Sequence, residues 1–243
     1  MRERTARQRA DWWTTVGLRP GQRLPKLTNR SITKLFDPDH TGSVTNRCRQ
    51  LRNEEFKRHF PDLPEMTVLD LGGTAHFWRT TGLRAKNVTL VNLDHFEPPE
   101  DSWIEFVRGD ACAGGFGKFD LVFSNSLLEH LGGHARRQQF AEVIRESAPA
   151  WWVQTPYRYF PIEPHWVFPA FQFLPFRLRR MITEHWTLGH QPTELTADEA
   201  AELVASVELI SATEMRAYFP SSEIWFERFL GLPKSLVAVQ TGP

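Results

Sequence analysis

The chain has 243 residues, with 29 Lys and Arg against 29 Asp and Glu, and two Cys. That length suits one soluble globular domain with a full core and room for a small appendage. Zero net charge argues against a dedicated nucleic-acid binder, DNA above all, because such proteins carry a basic excess.

Cys48 and Cys112 are too few and stand too far apart in sequence for a disulfide scaffold or a zinc site, so a reducing, cytoplasmic setting is expected, and no ligand cluster compels a bound metal. No stretch approaches the roughly 18 apolar residues of a membrane span, and the Arg-rich start lacks the apolar run of a secretory signal.

Charge is unevenly placed along the chain. Residues 1–60 hold 14 Lys and Arg and 6 Asp and Glu, which leaves 15 against 23 for the rest. Residues 1–63 are therefore expected to form a basic helical cap. Its helix should run from about Val44 to Phe60, with Leu51, Phe56 and Phe60 as a partial apolar stripe. The basic residues read either as a solvated face or as a phosphate contact with substrate or RNA. Asp37–Ser43 begins like a calcium loop, but Cys48 stands at the twelfth position, where a bidentate Glu is needed.

Residues 64–243 open on a repeating theme. Thr67–Leu71, Val88–Leu93, Ile104–Val107, Phe119–Phe123 and Trp151–Gln154 are short apolar runs of the kind buried on both faces of a parallel sheet. Phe77–Leu83 and His134–Ser147 between them read as crossover helices, which predicts an open, mainly parallel α/β sheet. Residues 157–191 break the pattern, with nine aromatic residues among prolines between Tyr157 and Trp186. This segment is expected to be an inserted lid. A helix capped by Thr196, with Glu199 at its third position, runs on to about Ser206. Glu208–Met215 and Ser235–Gln240 then bring the expected strands to seven.

Ligands of open α/β sheets bind outside the carboxyl ends of the strands. The first strand ends in Asp70-Leu71-Gly72-Gly73-Thr74, where glycine permits a tight turn and close backbone approach. The second ends at Asp94, 22 residues beyond Gly72, a spacing suited to a carboxylate that holds both ribose hydroxyls. The third ends at Gly109-Asp110-Ala111 and the fourth at Ser124-Asn125-Ser126.

With VLDLGG, VNLD, RGDA and FDLVFSNSLLEHL in succession, residues 65–240 resemble the class I S-adenosylmethionine-dependent methyltransferases of the type 11-like group. The resemblance implies a Rossmann-like seven-stranded sheet with helices on both faces and S-adenosylmethionine as cofactor. It also implies that Asp70, Gly72, Gly73 and Thr74 face the methionine part, Asp94 the ribose, and Asp110 with Ala111 the adenine. Ser124 and Asn125 would line the sulfonium end. Thr74 departs from the usual D-x-G-x-G pattern. That departure weakens a dinucleotide reading more than a methyl-transfer one, because this cofactor has no pyrophosphate to bury.

A hydroxyl acceptor needs alignment and a base. Candidates are His130 beyond the fourth strand, and Glu163 with His165 beyond the fifth. The first also reads as a turn cap, the second as a loop satisfying its own backbone. Tyr157, Tyr159 and Trp166 are the expected substrate surface, suited to sugar rings or apolar metabolites. Loops of bacterial methyltransferases acting on cell-envelope glycans are similar, so the leading expectation is O-methylation of a small metabolite, sugar or glycan headgroup.

The alternatives are an RNA methyltransferase guided by the basic zone and a non-catalytic binding protein. Residues 171–180, apolar beside Arg177, Arg179 and Arg180, also suit weak contact with a membrane surface. Base methylation fits poorly, since no proline-rich motif follows Asn125 and neither cysteine follows a proline.

Overall fold

The computed structural model describes residues 44–93, 101–186 and 195–242. Most of the expected basic cap, Asp94 and the segment 187–194 lie outside the described residues. The chain divides into two compact units, one of Cys48–Phe160 with Ser206–Pro243, the other containing Pro161–Ala205.

The larger unit is built on a seven-stranded sheet. Its strands are β1 (Thr67–Leu71), β2 (Asn87–Asn92), β3 (Ile104–Arg108), β4 (Leu121–Asn125), β5 (Ala150–Pro156), β8 (Glu223–Phe229) and β9 (Leu232–Thr241). Their order is β3-β2-β1-β4-β5-β9-β8. The first five run parallel, and β9 lies antiparallel to both β5 and β8. Buried strands made of Val, Leu, Ile and Trp fix this layer, since β1 from Val68 on and all of β5 are buried.

Helices cover both faces, as expected. On one face α1 (Val44–His59) and α2 (Ala75–Thr80) meet a cluster that includes Phe56, Phe60, Trp78, Phe123 and Trp152. On the other, α3 (His134–Ser147) and α6 (Ala212–Tyr218) enclose Phe140, Ile144, Met215 and Phe219. The helix assigned to a cap is therefore part of the sheet's own core from Cys48 onward. Its stripe also differs from expectation. Leu51 is exposed, and the buried line runs Cys48, Phe56 and Phe60, with Arg52 between them at helical spacing.

Two further expectations are corrected. The expected strand Glu208–Met215 contains only a single bridge at Ile210 before turning into α6. Ser211 accepts from Glu214 N while the Glu214 carboxylate accepts from Ser211 N, a reciprocal capping box that starts a helix. The seventh strand is instead β8, paired to β9 across a tight hairpin. The helix expected at Phe77–Leu83 begins earlier, at Ala75, because Thr74 caps it.

The smaller unit holds a short hairpin of β6 (Ile162–Glu163) and β7 (Phe168–Pro169), followed by α4 (Phe176–His185) and α5 (Ala197–Ala205), which pack on each other. Trp166 stacks on Phe171 with ring centroids 4.3 Å apart, and Trp186 donates its indole N–H to Trp166 O. Thr196 and Glu199 cap α5 reciprocally, as the sequence implied. No described helix is long and apolar enough to cross a membrane.

Candidate cofactor and acceptor site

The carboxyl ends of β1, β2 and β4 meet at the glycine turn. Gly72 has φ +84° and donates to Val91 O at 2.8 Å, which locks the turn to β2. A Cβ on Gly73 would lie 1.8 Å from the Asp70 carboxylate, so the turn folds directly over that acid and admits no side chain. Leu127, just after β4, closes on Gly72 from the other side.

Asp70 itself is fully buried. One oxygen accepts from the Trp78 indole at 2.8 Å, while the other has no hydrogen-bond partner. Burial pushes its carboxyl up to about 7, although the Trp78 bond acts in the opposite direction. Thr74, at the family's second glycine position, has extended backbone and accepts from Phe77 N as the α2 cap. The departure from the glycine pattern thus has a local structural use.

Asp110 follows β3. Burial would raise its pKa, but the Cys112 N–H and the Arg136 guanidinium hold it below the ordinary carboxylate value. Arg136 Nη2 lies 2.7 Å from both Asp110 oxygens, and Ala111 beside it is buried. Burial pushes the Cys112 thiol up to about 11, which removes it as a nucleophile at neutral pH.

At the end of β4, Ser124 is buried and donates to Leu71 O at 2.9 Å. It ties β4 to β1 rather than presenting its hydroxyl to a ligand. Asn125 is placed differently, since its Oδ1 accepts from Arg52 Nη1 at 2.7 Å. The next residue, Ser126, has φ +59°, a left-handed conformation unusual outside glycine, and it is held there by Gln154. Asn125 lies beside Arg52, Asn53, Phe56, Phe77, Phe123 and Trp152, packed so closely that no water-sized space remains among them.

The base candidates sit in different units. In the larger unit, His130 Nδ1 lies 3.3 Å from Ser206 O, and its neighbour Glu129 is buried and accepts from Thr155. In the smaller one, His165 Nδ1 lies 2.6 Å from Glu163 Oε1 while Glu163 Oε2 accepts from Trp166 N. A buried carboxylate therefore fixes the His165 ring. Of the expected substrate residues, Tyr159 is exposed and Tyr157 packs on it and on Phe226. Trp166 is a correction: it is buried against Phe171 and forms the interior of its unit, not its surface.

Arg52, Asn53 and Glu227 were not anticipated from the sequence. The signal was the helical spacing that sets Arg52 one turn before Phe56, and the alternation that puts Glu227 on the same side of β8 as Trp225.

The architecture has known counterparts. Magnesium protoporphyrin IX methyltransferase (ChlM) from Synechocystis PCC 6803 with bound SAH matches with a TM-score of 0.51 at 10% identity, over 96% of this chain and 94% of that one. DhpI in its SAH complex matches at 0.50 and 15% identity, over 88% and 95%. No family model matches the sequence, and no curated protein matches it. The chain has the fold of the class I S-adenosylmethionine-dependent methyltransferases.

Proposed function

We propose that this protein is an S-adenosylmethionine-dependent methyltransferase that methylates a hydroxyl of a small metabolite, sugar or cell-envelope glycan. The observation that carries the reading is the glycine turn closed over Asp70 at the end of β1, within a sheet whose antiparallel β9 lies between β5 and β8. The turn needs glycine because Asp70 and Leu127 fill the space a Cβ would take, and its bare backbone ends β1 on the side where ligands of such sheets bind. Residues proposed to hold the cofactor are Gly72 and Gly73 at the methionine part, Asp94 at the ribose, Asp110 and Ala111 at the adenine, and Asn125 near the sulfonium.

When bound, that cofactor supplies a methyl group already activated by its sulfonium. The chain must then align the acceptor and take its proton. The Glu163–His165 pair is the proposed base. Glu163 holds Nδ1 and so fixes the orientation of the ring.

Calorimetry with SAH tests the cofactor assignment. Asp94→Ala is expected to weaken binding by about tenfold, the loss of roughly 1.4 kcal/mol of hydrogen bonding. SAH formation across hydroxylated sugars and alcohols tests the reaction. His165→Ala should lower that turnover far more than SAH affinity, and equal turnover would reject the base.

A further inference from the structure

Helix α4 wears its apolar side chains outward. A surface helix of a globular protein normally turns its apolar stripe toward the core. In α4 the one fully buried residue is Thr183, whose hydroxyl donates to Arg179 O, while Phe176, Leu178 and Met181 are exposed. Phe173, in the turn that leads into the helix, adds a fourth such side chain, and the four are between 41 % and 52 % exposed. The strip is held in this attitude by packing on its other side. Phe171, two residues before Phe173, is buried and stacked on Trp166, and α4 packs on α5.

The charges beside the strip have one sign. From Phe171 to Thr183 the chain carries three arginines and no acidic residue. Arg180 is paired with Glu184 at 2.5 Å. Arg177 is exposed, and the Arg179 guanidinium lies 5.8 Å from the centre of the Phe176 ring. Among the described residues of this unit the exposed acids are Asp198 and Glu202, which share one face of α5. Apolar side chains bordered by arginine suit the headgroup layer of an anionic bilayer, where the apolar groups reach the acyl boundary and the guanidinium groups stay with the phosphates. A protein partner would find too little surface. Four side chains already about half covered offer roughly 300–400 Å², against about 800 Å² per partner in a stable protein interface.

We propose that the strip from Phe173 to Met181 is a docking surface for an anionic lipid bilayer. Phe173, Phe176, Leu178 and Met181 enter the boundary between headgroups and acyl chains, and Arg177 and Arg179 face the phosphates. The docking stands apart from methyl transfer; only its further consequence, an acceptor headgroup presented at that surface, rests on the methyltransferase reading.

The full chain is sedimented with vesicles of phosphatidylcholine, either alone or with a third of it replaced by phosphatidylglycerol. Binding to the anionic vesicles should be about 20-fold tighter, since each of two cations near such a surface contributes about fivefold. Phe173→Ser combined with Met181→Ser should weaken it at least about tenfold, and Arg177→Gln about fivefold. Leu230→Ser, which removes the exposed leucine of the β8–β9 hairpin, should change nothing. All of these variants alter exposed side chains, so their circular dichroism melts should match that of the parent.

Undiminished binding by the double variant, or loss of binding in Leu230→Ser, would assign the lipid contact to another part of the chain and overturn the strip. Equal binding to neutral vesicles, or none at millimolar anionic lipid, would overturn it as well. So would a dimer seen by light scattering that the double variant dissolves, because the strip would then be an interface between copies. SAH binding is measured separately by calorimetry: its absence defeats the methyltransferase reading, while the vesicles still decide the docking.

Discussion

Gly73 and Asp70 constrain each other at the scale of single residues. A methyl group on Gly73 would collide with the carboxylate beneath it, so Gly73→Ala should force the turn open. We expect a loss of about 1–3 kcal/mol in stability and loss of SAH binding, read by thermal melting and calorimetry. Asp70 gives a pH signature. Its carboxyl rises from 3.8 to about 7 on folding, so between those values the folded chain keeps a proton that the unfolded chain releases. Its stabilising contribution is complete below pH 3.8, declines as pH rises, and is gone above about 7. Denaturant melts at pH 5 and pH 8 should show this decline in the native protein, and Asp70→Asn should remove it. The glycines, Asp70 and Asn125 were legible as strand-end residues. That Ser124 faces Leu71 was not, because a serine in an apolar strand looks the same whether its hydroxyl meets a ligand or a neighbouring carbonyl.

Among the elements, β1 to β5 could be read from the sequence because continuous β-branched and aromatic runs have few other uses. The end of the chain was harder. Glu208–Met215 looks like a strand through Leu209 and Ile210, yet Ser211 and Glu214 override that pattern by satisfying each other's backbone N–H groups. Ser211→Ala should cost about 1 kcal/mol. For a chain of this size that is a fall of about 2–4 °C in the melting temperature, visible by circular dichroism. β8 escaped notice for the opposite reason. Its charged residues, Glu223, Glu227 and Arg228, dilute the apolar signal, and one of them, Glu227, is buried against Arg52.

For the whole molecule, the uneven charge of the sequence suggested a separate basic cap before an acidic core. The division of the chain is otherwise. From Cys48 on, the supposed cap belongs with the sheet, and Phe56 packs edge-on against both Phe123 and Trp152 at 5.3 Å. Phe56→Ala should therefore cost about 3–5 kcal/mol, a large share of the roughly 5–15 kcal/mol that keeps a domain folded. A single cooperative denaturant transition at much lower midpoint is the expected result; an unchanged midpoint would make the helix an accessory. Hydrophobic spacing located the helix, but only the aromatic geometry revealed what it supports.

The antiparallel strand β9 has a consequence in time. It pairs Thr241 with Ala150, and everything from Pro161 to Ala205 is threaded between those partners in sequence. The sheet's last two places can be filled only after that intervening unit has been synthesised, so β5 waits with one edge open. Closure over so long a separation is slow, and an open apolar edge invites pairing with another chain. Refolding should accordingly show early protection of the β1, β2 and β4 amides and late protection at β8 and β9. Misassembly during that interval would be most damaging at Glu227, which reaches its place beside Arg52 only when the final hairpin docks.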